Sequence, residues 1–199
     1  MKLKIWELAL FSALVVAVLW SFLLDQRQQN LSEQLIRLHV VPHSNEDIDQ
    51  TLKFAVRDSI QSHLRLELSY ATDANDAARI LSEQLDSVQD IAEQVAADFG
   101  RTIPVTVSLG QARFPTRAYG HFTLPAGNYA ALQIHLGDAS GQNWWCVVFP
   151  PLCFDAATSQ RPDLVAMGFL EEEIALIADT GGGVALRFRT LELLDRFRG

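Results

Sequence analysis

The chain has 199 residues, with 16 lysines and arginines against 24 aspartates and glutamates, a formal net charge of −8. That balance argues against nucleic-acid binding, because phosphate recognition needs a basic stripe. The hydrophobic content of 49% is raised by one apolar segment near the N-terminus.

Lys2 and Lys4 precede that segment; residues 8–24 carry no charge, and Ser12 and Ser21 are their only polar members. At ~1.5 Å per residue the run spans roughly 25 Å, close to the ~30 Å hydrocarbon core of a bilayer. Basic residues ahead of it predict a cytoplasmic N-terminus and a translocated remainder. Residues 1–24 therefore read as a transmembrane signal anchor or a cleaved signal peptide. The run closes on Trp20, Phe22 and Leu23 without the small-x-small site of a cleaved peptide. Its lack of periodicity argues against a buried core helix. Residues 25–34 are a polar linker, and residues 35–199 are long enough for a single extracytoplasmic domain with its own core.

Residues 35–41, rich in branched apolar side chains and stopped by Pro42, predict a first strand. Ser44, Asn45, Glu46 and Asp47 supply capping oxygens and first-turn acids for a helix. Its apolar stripe is Ile48, Leu52, Val56, Ile60, Leu64 and Leu68. Thr72 and Asp73 start a second helix, with a stripe through Ala77, Leu81, Leu85, Val88, Ala92, Val95 and Phe99 and Gly100 at its end. After Gly100 the pattern turns to strands, at residues 102–109, 113–119, 129–136 and 144–149, the last apolar enough for a central position. A helix within residues 163–178, a strand at 184–189 and a short helix at 190–197 complete the reading. Strand, two helices, then strands predicts an α+β fold: an antiparallel sheet with a two-helix hairpin on one face, preceded by the N-terminal transmembrane or signal helix.

Few residues suggest catalysis. His39 and His43 are four apart, but Pro42 between them prevents the shared helix face of paired zinc ligands. No CxxC or HExxH pattern is present. Glu171, Glu172 and Glu173 read as a solvated helix edge, and residues 181–183 lack the Lys-Ser/Thr of a phosphate loop. Cys146 and Cys153 flank Pro150 and Pro151; in an exported domain such a pair forms a disulfide or stays as two buried thiols. Trp144 and Trp145 point to opposite strand faces, so one indole is a candidate contact for a partner.

Three stretches carry a family resemblance: Phe114-Pro115-Thr116-Arg117-Ala118-Tyr119-Gly120, Leu124-Pro125-Ala126-Gly127-Asn128-Tyr129, and Gly141-Gln142-Asn143-Trp144-Trp145-Cys146 running on to Phe154. With Ile36-Arg37-Leu38-His39-Val40-Val41, Ser44-Asn45 and the helix residues Leu52, Lys53, Val56, Arg57 and Asp58, they resemble the stage II sporulation protein R family. Pro42-His43 departs from the small and amide residues expected there. The resemblance implies an exported signalling protein, acting in the space between forespore and mother cell. Its implied partner is a membrane-embedded aspartic protease of the mother-cell membrane, which then processes a pro-sigma factor. It implies no catalytic residue, metal, cofactor or small-molecule substrate. Trp144, Trp145, Arg117, Tyr119, His43 and Asn45, on the strand edge or turns, are the expected partner contacts. The alternative is a cell-envelope hydrolase using Cys146 or a metal site of histidines and cysteine.

Overall fold

The computed structural model describes residues 5–119 and 122–151, together with Ile174 and Ile177. The chain opens with helix α1 (Ile5–Glu33), followed by strand β1 (Ile36–Val41). A helical layer follows: α2 (Asp47–Leu68), α3 (Ala74–Glu83) and α4 (Leu85–Asp98). Strands β2 (Val105–Phe114), β3 (Arg117–Tyr119), β4 (Phe122–Leu124), β5 (Gly127–Leu136) and β6 (Trp144–Phe149) complete the described elements.

The fold is α+β, but the sheet is mixed rather than antiparallel. Its order is β2-β5-β1-β6, with β3 and β4 forming a separate two-stranded unit. β1 runs parallel to β5, with Leu38 beside Leu132 and Val40 beside Ile134. The β2–β5 and β1–β6 pairs are antiparallel. Between β1 and β5 the chain passes through the whole helical layer and β2, so it re-enters the sheet beside β1 in the same direction, as long crossovers allow. β1 and β5 are the two inner strands; on β1, Ile36, Arg37, Leu38, Val40 and Val41 are all buried. β6, expected at the centre, stands at the end of the described order.

The expected two-helix hairpin is a three-helix layer. The stripe Leu52, Val56, Ile60, Leu64 and Leu68 is buried on α2, while Ile48 is 42% exposed. The second stripe is interrupted at Gln84, which ends α3 and begins α4. Its phase survives the break, because Ala77, Leu81, Val88 and Ala92 are all buried in the same core. Asp73 caps α3 by accepting a hydrogen bond from the Asp76 amide at 2.9 Å. Gly100, at φ +69°, closes α4; its amide donates to the Ala97 carbonyl and the Arg101 amide to the Ala96 carbonyl, both at 2.8 Å. This left-handed reversal favours glycine. The strands expected at 102–109 and 113–119 are instead β2, which runs on to Phe114 and stops before Pro115, and β3 at Arg117–Tyr119.

The helices cover one face of the sheet, over Leu38, Val40, Leu132, Ile134, Cys146 and Val148. A second core lies on the other face, formed by Leu31, Leu35, Phe114, Phe122, Leu124, Tyr129, Ala131, Val147 and Ile177. The expected linker at residues 25–34 instead continues α1 as far as Glu33, and Leu31 anchors it in that second core. Among the described residues no helix is long and apolar enough to cross a membrane, so the expected transmembrane helix is not met there. The described large apolar side chains between Leu10 and Trp20 are nonetheless 40–65% exposed. The helix expected at 163–178, apart from helical Ile174 and Ile177, and the elements expected at 184–189 and 190–197 lie outside the described residues.

Candidate functional site

Alternation along the strands places the odd-numbered side chains of β1 on the face away from the helical layer. Arg37 is fully buried there. Its guanidinium lies over the rings of Phe114, Tyr129 and Tyr119, at 4.1, 4.9 and 5.8 Å from their centres. Nη2 donates to the Tyr119 hydroxyl, whereas Nε and Nη1 have no hydrogen-bond partner among the described residues. Burial lowers the Arg37 pKa, and the Tyr119 contact opposes the shift. The guanidinium stays charged even so, because its ordinary pKa is so high.

His39 lies two residues further along β1. It stacks on Trp145 with ring centres 5.9 Å apart, and it meets Phe114 and His135 edge-on at 5.8 and 6.2 Å. Neither ring nitrogen has a hydrogen-bond partner among the described residues. Burial, with smaller contributions from His135 and Arg37, pulls its pKa down to about 4. The ring is therefore neutral near pH 7. The small β3–β4 arm closes over this face. Arg117 lies 4.0 Å from the centre of the Trp145 ring, so that indole contacts both a cation and His39. Tyr119 stacks on Phe122 at 5.1 Å. Burial raises Tyr119, and it pushes Tyr129 up to about 12; both phenols are neutral. Tyr129 donates to the Pro125 carbonyl at 2.8 Å, which fixes the return from the arm into β5.

Trp144 projects the other way, as expected from alternation. It meets Phe54 of α2 edge-on at 5.3 Å, and the Arg57 guanidinium lies 4.7 Å from its centre. Each indole is half-buried and carries an arginine, so neither stands open to solvent.

His43 and Asn45 belong to a different structure, a clamp between the turn after β1 and the turn before β6. His43 Nδ1 accepts from the Asp138 amide at 2.9 Å. Asn45 Oδ1 accepts from the Gln142 amide at 2.7 Å. The Gly141 amide donates to the Pro42 carbonyl at 3.1 Å. Beneath them lies fully buried Asp49, which accepts from Ser44 Oγ at 2.7 Å and from Arg101 Nε at 3.0 Å. Burial alone would raise the Asp49 pKa, but the Ser44 and Arg101 hydrogen bonds and the Arg101 charge outweigh it and hold the carboxyl below its ordinary value. Lys53 Nζ donates to the Gln142 carbonyl at 2.9 Å and ties α2 to the same turn. His43 and Asn45, expected as partner contacts, are thus bound into the fold.

The structure gathers Arg117, Tyr119 and Trp145 on one face and leaves Trp144, His43 and Asn45 elsewhere. Sequence reasoning passed over Arg37, His39, Phe114 and Tyr129 as site residues. The available signal was a charge at Arg37 inside an otherwise apolar strand. Cys146 is buried on the helical side, with Gln61 Nε2 3.9 Å from its sulfur. Cys153, its expected partner, lies outside the described residues. Among the described residues no three His, Cys, Asp or Glu side chains are grouped to hold a metal.

A mixed sheet with helices on one face and a buried arginine among aromatic rings on the other defines an α+β domain. Its sequence matches the stage II sporulation protein R family over residues 32–159. It is also similar to stage II sporulation protein R of Bacillus subtilis (strain 168), with 36% identity over 124 residues, 62% of this chain. The match spans 55% of that relative's length. The chain belongs to the stage II sporulation protein R family, a family of sporulation proteins. No solved structure matches it.

Proposed function

We propose that this protein is an exported sporulation signal that activates a membrane-embedded aspartic protease of the mother-cell membrane, which then removes the pro-sequence of a sigma factor. The observation that carries this reading is the family match over residues 32–159, which takes in every described strand and the helical layer. The exposed apolar stretch of α1 supports export: side chains such as Phe11, Leu14 and Leu19 are unlike the surface of a folded domain and suit an N-terminal export signal. On this reading residues 35–199 act in the space between forespore and mother cell, and the protein works by binding. Activation then requires tighter binding to the protease's active state than to its inactive one.

The hydrolase alternative finds less support. Cys146 lies beneath the helical layer beside Gln61, whereas His39 and His135 occupy the opposite face. A thiolate nucleophile needs a base within reach. The proposal is tested by deleting the gene and scoring sigma-factor processing, then complementing with the full chain and with a chain lacking residues 1–24. Lost processing restored only by the full chain is the expected result; normal processing in the deletion strain refutes the proposal.

A further inference from the structure

We propose that the sheet face centred on Arg37 is a binding site for a carboxylate group, reached when the β3–β4 arm lifts. Arg37 is fully buried, yet two of its nitrogens have no hydrogen-bond partner. Its contacts are the neutral Tyr119 hydroxyl and three aromatic rings, none of them a counter-charge. A buried cation held only by rings and a phenol is under-compensated. His39, on the same face of the same strand, adds two ring nitrogens without partners. Arg117 places a second guanidinium at the rim, over Trp145.

The surroundings favour a small monoanion. Phe114, Tyr129 and Trp145 provide mostly apolar walls, and His39 is neutral near pH 7. One buried positive charge matches one carboxylate, while a phosphate dianion would bring surplus charge into a poorly solvated place. The arm itself is short: β3 and β4 pair through only three residue pairs, Arg117–Leu124, Ala118–Thr123 and Tyr119–Phe122. A two-stranded unit of that size is marginal alone and is held down by Phe122 and Leu124, buried in the second core, so it opens by local unfolding with the closed form dominant. Lifting it removes Tyr119 from Arg37 and frees the third guanidinium nitrogen.

The same chemistry is offered by a free carboxylate and by an acidic side chain on a protein segment, and the probes distinguish them. The full chain in detergent micelles, labelled with ¹⁵N in arginine and histidine, is titrated with acetate, with a capped Gly-Asp-Ala tripeptide, with its Gly-Asn-Ala counterpart and with inorganic phosphate. Saturable movement of the Arg37 Nε–H and His39 ring signals with acetate, and with the aspartate peptide but not the asparagine one, is expected. A bound carboxylate also raises the His39 pKa from about 4, because the negative charge favours the imidazolium. Saturation by the peptide at a much lower concentration than acetate assigns the site to a protein segment, and equal saturation to small carboxylates. Arg37→Lys should weaken carboxylate binding about tenfold or more, as expected when a charge-assisted contact is lost. Arg117→Ala, at an exposed position, gives a smaller loss with the fold intact, and it carries the test if Arg37→Lys does not fold. Movement driven more strongly by phosphate than by carboxylates, or no saturable movement with any probe, overturns the proposal and leaves Arg37 as a packing cation.

Discussion

Gly141 is the tightest point of the clamp between the turn after β1 and the turn before β6, and replacing it with alanine tests that clamp. A Cβ there would lie 2.1 Å from the Ser44 carbonyl oxygen, 2.6 Å from its carbon and 2.7 Å from the Pro42 ring. Two of those atoms are backbone, so relief requires the two turns to separate rather than a side chain to rotate. Separation stretches the Gly141–Pro42 and Ser140–His43 backbone hydrogen bonds and the Asn45–Gln142 contact. Each is worth ~1 kcal/mol net, so Gly141→Ala should destabilise the domain by about 3 kcal/mol. Gly100→Ala is the internal comparison. Its φ of +69° disfavours a side chain, but nothing lies within 4 Å of the added carbon, which predicts a cost of only about 1 kcal/mol. Urea unfolding of both variants beside the wild type, followed by far-ultraviolet circular dichroism, gives the two differences. A Gly141→Ala loss below that of Gly100→Ala would show that the turns are not held as described.

Stability should also depend on His39. Its pKa is lowered in the folded state from 6.5 to about 4, so the unfolded chain takes up this proton first as pH falls. This contribution is fully present above about pH 6.5, declines between pH 6.5 and 4, and amounts to at most about 3 kcal/mol. The groups facing His39 are Arg37, His135 and Arg117 at the rim; His39→Gln should flatten that interval in stability measured against pH. Asp49 titrates lower. Its folded pKa is depressed, so its contribution is present above about pH 4 and is lost as pH falls further. Asp49→Asn should lose roughly 1–3 kcal/mol at pH 7 by removing the buried charge that Arg101 faces, which leaves it exposed Glu46 at 4.0 Å as its acid. Ile60→Ala, on the fully buried face of α2, should cost about 3 kcal/mol by opening a cavity, measured by the same unfolding assay.

Periodicity made most of the fold legible in the sequence. The i, i+4 stripe from Leu52 to Leu68 and the run from Ala77 to Ala92 identify the helical layer, and alternation places Trp144 and Trp145 on opposite faces. It does not carry strand order or direction. The same alternating β5 would bury Leu132 and Ile134 beside β1 in either direction, so the parallel pairing could not be read from it. The break at Gln84 was hidden because the stripe keeps its phase across it. For the candidate site, Arg117, Tyr119 and Trp145 were singled out through their aromatic and loop context, and the structure places them on one face. Arg37 and His39 were missed because isolated polar residues in an apolar strand do not announce which groups fold over them. His43 and Asn45 lie apart from that face: the opposing turn at residues 137–142 uses their acceptors, which the sequence alone does not show.

The most direct test of the proposed function is reconstitution in a host that does not sporulate. The full chain is co-expressed with the membrane protease and its pro-sigma substrate, with export confirmed by protease accessibility of residues 35–199 in spheroplasts. Substrate cleavage that appears only when the exported chain is present is the predicted result. No cleavage, with all three proteins present and the chain translocated, would contradict the activator reading.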